Sequence, residues 1–191
     1  GIPMVIDRLI GQAIHQVLEP IFDPGFSESS YGFRRGRSAH TCVKQAGRYV
    51  AEGRRWVVDI DLEKFFDHVN HDMLMARVAR KVKDKRLLRL IRRYLQAGIM
   101  RDGLETVRTE GTPQGSPLSP LLSNIYLHAF DQAWEKSLGV LVRYADDFVV
   151  MCKKQSQVKE AQRRIEVILK GLGLTLNTEK TRLVNLGRGK E

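Results

Sequence analysis

The sequence predicts an α+β fold in which an antiparallel sheet is backed by helices. Short runs of β-branched and aromatic residues, WVVDI at 56–60, GVLVRY at 139–144 and FVVM at 148–151, read as strands with acids at their ends. Long segments with apolar residues at three- and four-residue spacing read as helices, and the order of elements lacks the regular βαβα alternation of a parallel sheet. One covered face of the sheet is expected.

The chain has 191 residues, of which 42% are apolar, enough for one full domain or two small lobes with a real core. Thirty-two Lys and Arg against 22 Asp and Glu give a formal charge of +10, which points to a polyanionic partner. The basic residues recur along the whole chain, as in RRWVV, RKVKDKRLLRLIRR and KKQSQVKEAQRR, so they do not form a tail. Cys42 and Cys152 stand far apart with no CxxC, and read as reduced apolar residues rather than a disulfide or zinc site. No apolar run nears the roughly 20 residues that span a bilayer, and the N-terminus lacks a signal-peptide profile. A cytoplasmic protein without a membrane partner is therefore expected, and the abrupt ends read as those of a fragment.

Residues 3–22 place Ile6, Leu9, Ile10, Ala13, Ile14, Val17 and Leu18 at helical spacing, predicting an amphipathic helix that ends near Pro20. A loop, FDPGFSESSYGFRRGRS, interleaves Tyr31 and Phe33 with Arg34, Arg35 and Arg37, a mixture suited to phosphates and nucleotide faces more than to a merely solvated basic loop. Ser38 caps a predicted helix over 39–51 that Gly53 closes. Strand 56–60 follows, with Asp59 and Asp61 on one face because they lie two residues apart. Asn70, His71 and Asp72 start a helix to about Lys81, residues 84–97 form another with a basic face, and Gly98 stops it. Ile99–Thr109 suits a hairpin turning at Asp102 and Gly103. The Gly/Pro loop 111–117 runs into a helix of about 20 residues. A hairpin over 142–151 carries Asp146 and Asp147 at its tight turn, residues 156–172 form an amphipathic helix, and LTL and RLVNL flank NTEKT as short strands.

Two adjacent anions at a turn are costly without a cation, yet an Asp-Asp surface turn is common, so VRYADDFVVM alone leaves both readings open. Asp61 lies 85 positions before Asp146, also at a strand end. If the two strands are neighbours, Asp61, Asp146 and Asp147 converge with the backbone carbonyl of Ile60 or Leu62. Carboxylates without Cys or His make a hard oxygen site suited to Mg²⁺, and a pair of such ions serves in-line phosphoryl transfer. Paired acids also serve glycoside hydrolysis, but a charge of +10 does not favour a neutral sugar.

These blocks resemble the reverse transcriptases, in wording nearest to group II intron-encoded proteins, or maturases. The resemblance rests on YADD at 144–147, Asp61 with FFD at 65–67, GTPQGSPLSPLLSNIYL at 111–127, YGFRRGRSAH at 31–40 and GLxLNxEKT at 173–181, in the family's order. It implies the fingers and palm of a right-hand polymerase without its thumb: partial fingers over 1–55, palm with the first acid over 56–82, fingers over 83–116, and palm over 117–191. It implies an RNA-directed DNA polymerase that uses two Mg²⁺ ions, or Mn²⁺ in their place. The RNA template or intron RNA, a DNA or RNA primer and deoxynucleoside triphosphates are its implied partners. Asp61, Asp146 and Asp147 become the metal ligands and catalytic acids, and Lys180 the residue that protonates or neutralises departing pyrophosphate. Phe66 packs below the sugar and excludes a 2′-hydroxyl, Gln114 and Gly115 lie over the nucleotide and template, and Arg34, Arg35 and Arg37 face phosphates. An RNA-binding splicing cofactor, a retron enzyme and a CRISPR-associated reverse transcriptase remain the alternatives.

Overall fold

The computed structural model describes residues 4–97, 99–101, 104–106, 110–113, 115–134 and 138–187. The chain divides into two compact units, Gly1–Phe26 with Lys64–Leu127 and Ser27–Glu63 with His128–Glu191.

The first unit is mostly helical. Helix α1 (Val5–Phe22) buries Gly11, Ile14, Leu18 and Phe22. The expected apolar face is thus only half used: Ile6, Leu9, Ile10 and Val17 are exposed, because the buried stripe is set by Gly11, whose missing side chain admits Ser116 and Pro117. The helix also runs past Pro20 rather than ending there, since Pro20 removes one donor while Asp23 N–H still bonds the Glu19 carbonyl and leads into a 3-10 turn, Asp23–Gly25. Helix α3 (His71–Lys81) is capped by the Asn70 side chain on Met73 N–H, and α4 (Lys85–Gln96) by Asp84 on Arg86 and Leu87 N–H. Strands β2 (Ile99–Arg101) and β3 (Leu104–Thr106) pair antiparallel. The expected turn residues Asp102 and Gly103, and the stop at Gly98, lie outside the described residues.

Helix α5 (Ser119–Ala133) has 15 residues rather than about 20. Trp134 leaves the helix to stack on Phe130 and donates its indole N–H to the Gly139 carbonyl, which turns the chain toward the next strand. Every residue from Leu121 to Leu127 is buried, the pattern of a helix enclosed on all sides.

The second unit is built on a four-stranded antiparallel sheet of β1 (Trp56–Ile60), β4 (Val140–Tyr144), β5 (Asp147–Cys152) and β6 (Arg182–Asn185), in the order β4-β5-β1-β6. Val57 and Val58 point to opposite faces and both are buried, so both faces are covered, not one. Helix α2 (Ala39–Ala51), capped by a Ser38–Thr41 box, supplies Cys42, Ala46, Tyr49 and Val50 to the side of Val57, Val142 and Met151. Helix α6 (Gln155–Gly171) packs on β1 and β5 through a stripe of Val158, Ala161, Ile165 and Leu169. LTL is not a strand: Leu176 makes a single bridge to Leu62, in the irregular chain beyond β1.

The free edge of β4 is closed by the segment before α2. Arg143 N–H bonds the Ser29 carbonyl at 2.8 Å and Tyr31 N–H bonds the Arg143 carbonyl at 2.8 Å. Gly32 then passes so near the hairpin turn that a Cβ on it would lie 2.3 Å from the Ala145 nitrogen. Backbone cannot yield as a flexible side chain does, so Gly32→Ala is expected to lower stability by about 1–3 kcal/mol, the range of core overpacking, read as a lower urea midpoint.

Candidate active site

The second unit assembles the acids through strand pairing. β1 and β5 are antiparallel neighbours with Ile60 opposite Phe148, and continuing that register by one residue sets Asp61 opposite Asp147. Tyr144 pairs with Asp147, so the hairpin turn consists of Ala145 and Asp146 alone. Sequence spacing placed both acids in the turn; Asp147 is instead the first residue of β5, where it is exposed, while Asp146 is half-buried.

The crowding has electrostatic consequences. Loss of solvent raises the Asp146 carboxyl above its ordinary 3.8, and the nearby Asp147 and Asp61 charges raise it further, against the lowering pull of a hydrogen bond from its own backbone N–H and, more weakly, of Arg143. Asp147 is also raised, first by lost solvent and then by Asp61 and Asp59, with Lys180 opposing. Lys180 Nζ lies 3.8 Å from Asp61 Oδ2. The NTEKT segment holds this lysine in place. Asn177 N–H donates to the Asp61 carbonyl at 2.9 Å, and the Asn177 Oδ1 accepts from Glu179 and Lys180 N–H.

A second charge, which motif reading passed over, supports the turn. Arg143 is fully buried and makes a bidentate pair with Asp131 of α5, Nε to Oδ1 at 2.8 Å and Nη2 to Oδ2 at 2.6 Å. Its remaining Nη1 donates to the Ala145 carbonyl at 2.8 Å. Ala145 has φ +59°, the left-handed region that costs a non-glycine residue about 1–2 kcal/mol, so the turn is strained and Arg143 restrains it. The signal was in the sequence: an arginine inside VLVRY must find an anion if that strand is buried.

The arginines of the 27–38 segment are less alike than their spacing suggested. Arg34 Nη1 donates to the carbonyls of Ser27 and Ser30, and Arg37 donates to those of Glu28 and Ser30, pairs with the Glu28 carboxylate and lies over the Tyr31 ring. These two staple the loop, whereas Arg35 is exposed. Phe33, at φ +54°, sets its exposed ring 6.2 Å from that of Tyr144.

In the first unit Phe66 sits half-buried in the 3-10 turn Phe65–Asp67, its ring edge-on to the buried Phe65 at 5.2 Å. Gly115 has φ +81°, a conformation open to glycine, and Gln114 lies outside the described residues. Ile60 is paired in the sheet and Leu62 in its bridge to Leu176, so both backbones flanking Asp61 are fixed.

Carboxylates alone form the donor set, which chemically fits a hard divalent cation. Among the described residues no group of three or more His, Cys, Asp or Glu side chains stands assembled as a ready metal cage. Also among them, no helix is long and apolar enough to cross a membrane.

Two measurements check these electrostatics. Removing one partner of the buried pair, as in Asp131→Ala, is expected to cost about 3–5 kcal/mol, and the double replacement Asp131→Leu with Arg143→Met much less than the sum, in a urea double-mutant cycle. For Asp146, the folded carboxyl titrates above the unfolded one, so in cation-free buffer its contribution is most favourable below about 3.8 and declines as pH rises through the raised folded value. Asp146→Asn should therefore gain stability relative to the native protein at pH 7 and not at pH 3, in thermal melts at both values.

Comparison with known proteins agrees with the fold. Residues 1–188 match the family described as "Reverse transcriptase (RNA-dependent DNA polymerase)". Protein YkfC of Escherichia coli is 33% identical over 99% of this chain and 60% of its own length. Group II intron-encoded protein LtrA of Lactococcus lactis is 42% identical over 69% of this chain, a match spanning 22% of LtrA. The chain thus spans less than two thirds of these relatives. Nuclear intron maturase 1 of Arabidopsis thaliana is 33% identical over 59% of this chain and 16% of its own length. Among solved structures, apo telomerase of Candida tropicalis, truncated from its C-terminal domain, superposes with a TM-score of 0.64 at 18% identity, covering 97% of this chain and 41% of that one, a likeness of fold. The chain belongs to the reverse transcriptase family, in the group II intron-encoded and maturase group.

Proposed function

We propose that this domain catalyses RNA-templated addition of deoxynucleotides to a primer 3′-hydroxyl. The observation that carries the reading is the pairing of β1 with β5, which brings Asp61 within electrostatic reach of Asp146 and Asp147 at one end of the sheet. In the reaction the 3′ oxygen bonds the α-phosphorus of the incoming triphosphate as the bond to pyrophosphate breaks. Asp61, Asp146 and Asp147, with a carbonyl of Ile60 or Leu62, would hold Mg²⁺. Two such ions, when bound, supply activation of the attacking oxygen and stabilisation of the leaving one. Lys180, beside Asp61, neutralises or protonates pyrophosphate. Phe66 closes the space that a ribose 2′-hydroxyl would need, Gln114 and Gly115 cover the nucleotide, and Arg35 is the loop arginine left facing solvent to meet phosphate. In this reading residues 1–55 and 83–116 are fingers, and residues 56–82 and 117–191, which carry all four strands of the larger sheet, are palm.

A splicing role as an RNA-binding maturase is favoured by the charge of +10 spread along the chain and by the likeness to an intron maturase. The two roles separate experimentally. In the natural full-length protein, Asp146→Ala is expected to abolish extension of a primed RNA template, by at least about 10³-fold if the acid is essential, with salt-dependent RNA binding retained. Undiminished extension by that variant would refute the polymerase reading; loss of RNA binding alongside extension would argue that the acid supports the fold instead.

A further inference from the structure

Within the helical unit, the segment carrying Phe66 is anchored by one peptide group of the GTPQG loop. The Thr112 N–H donates to the Phe66 carbonyl at 2.7 Å. The carbonyl of that same peptide group, belonging to Gly111, faces the other way and lies 2.7 Å from His71 Nε2. A carbonyl can only accept, so Nε2 carries the proton. Because the peptide group is planar and rigid, His71 at one end and Phe66 at the other are joined through a single stiff plate.

The plate has little freedom. Gly111 N–H is tied to the Val69 carbonyl at 2.8 Å, and Asn70 and Glu110 form a bridge beside it. Gly111 has φ +87°, and a Cβ there would fall 2.8 Å from the Phe66 oxygen and 2.9 Å from the Asp67 oxygen. The loop therefore lies hard against the backbone of the Phe66 turn. His71 is 4% exposed, at the first position of α3, a helix whose Leu74 and Val78 are fully buried. The histidine thus refers the loop to a rigid element of the core.

We infer that His71 is a positioning residue for sugar discrimination: through the Gly111–Thr112 peptide it sets the height of Phe66, and with it the space allowed at the 2′ carbon of the incoming nucleotide. This rests on the proposed role of Phe66. Exclusion of one hydroxyl by a ring depends on displacements of a few tenths of an ångström, which a ring on an unanchored turn cannot hold. A residue that only stabilised the fold would depress deoxynucleotide and ribonucleotide addition alike.

The test is primer extension by the natural full-length protein on an RNA template, comparing kcat/KM for dTTP with that for UTP. His71→Ala is expected to lower the dTTP-to-UTP ratio by about tenfold, within the range of one lost buried hydrogen bond. His71→Gln, whose amide can donate in place of Nε2, should restore the ratio. If His71→Ala folds poorly in thermal melts, His71→Asn, whose shorter amide stops short of Gly111, takes its place with the same expectation. Phe66→Val is run beside them. A lowered ratio with Phe66→Val and an unchanged ratio with the His71 variants overturns the inference and leaves the role of Phe66 standing. An unchanged ratio with Phe66→Val overturns both.

Discussion

Repulsion among three carboxylates is the constraint around which the sheet-bearing unit is organised. Lost solvent first, and then the nearby Asp61 charge among others, raise the proton affinity of Asp146 and Asp147, and like charges left to themselves would spread apart. Backbone pairing prevents this. Asp61 follows β1, Asp147 opens β5, and the two strands share a register that cannot slip by one residue without carrying Val58 and Val150, both fully buried, to the opposite and differently packed face of the sheet. The energy that holds the acids together is therefore mostly apolar, supplied several ångströms away from them.

Cations complete the restraint in two different ways. Lys180 reaches Asp61 from a turn that Asn177 fixes, and it is two-thirds exposed, so its attraction is screened and adjustable. Arg143 has no exposure at all, its charge is neutralised by Asp131, and its Nη1 donates to the Ala145 carbonyl. A buried pair of this kind contributes more to a defined geometry than to stability, and here it defines the left-handed turn from which Asp146 projects. The same segment that closes the β4 edge, Ser29 to Gly32, presses on that turn from outside.

Much of this was legible in the residues. The capped helices over 39–51 and 71–81, the strand 56–60 and the acid-bearing hairpin follow from caps, periodicity and β-branching, and the observed bounds agree closely. The errors share a cause. The apolar stripe of α1, the length of α5, the LTL segment and the covered faces of the sheet depend on which neighbour arrives from elsewhere in the chain. Periodicity says that Ile6, Leu9 and Val17 could be buried, but the glycine at 11 decides which side of the helix approaches Ser116.

The site shows the same division. Sequence alone determined the chemistry: adjacent acids after a tyrosine, a further acid at a strand end, a lysine in a polar turn, and a glycine-rich loop, all within a strongly basic chain. Only the tertiary structure decided how those groups are used. It moved Asp147 out of the turn into β5, made Arg34 and Arg37 internal staples while leaving Arg35 exposed, and revealed Arg143 and His71 as supports that no motif marks. The reason is physical. A side chain's ionisation and reactivity are prefigured by its type, but whether its hydrogen bonds are spent within the protein or left for a ligand depends on which carbonyls and carboxylates folding brings within reach, and local sequence does not carry that information.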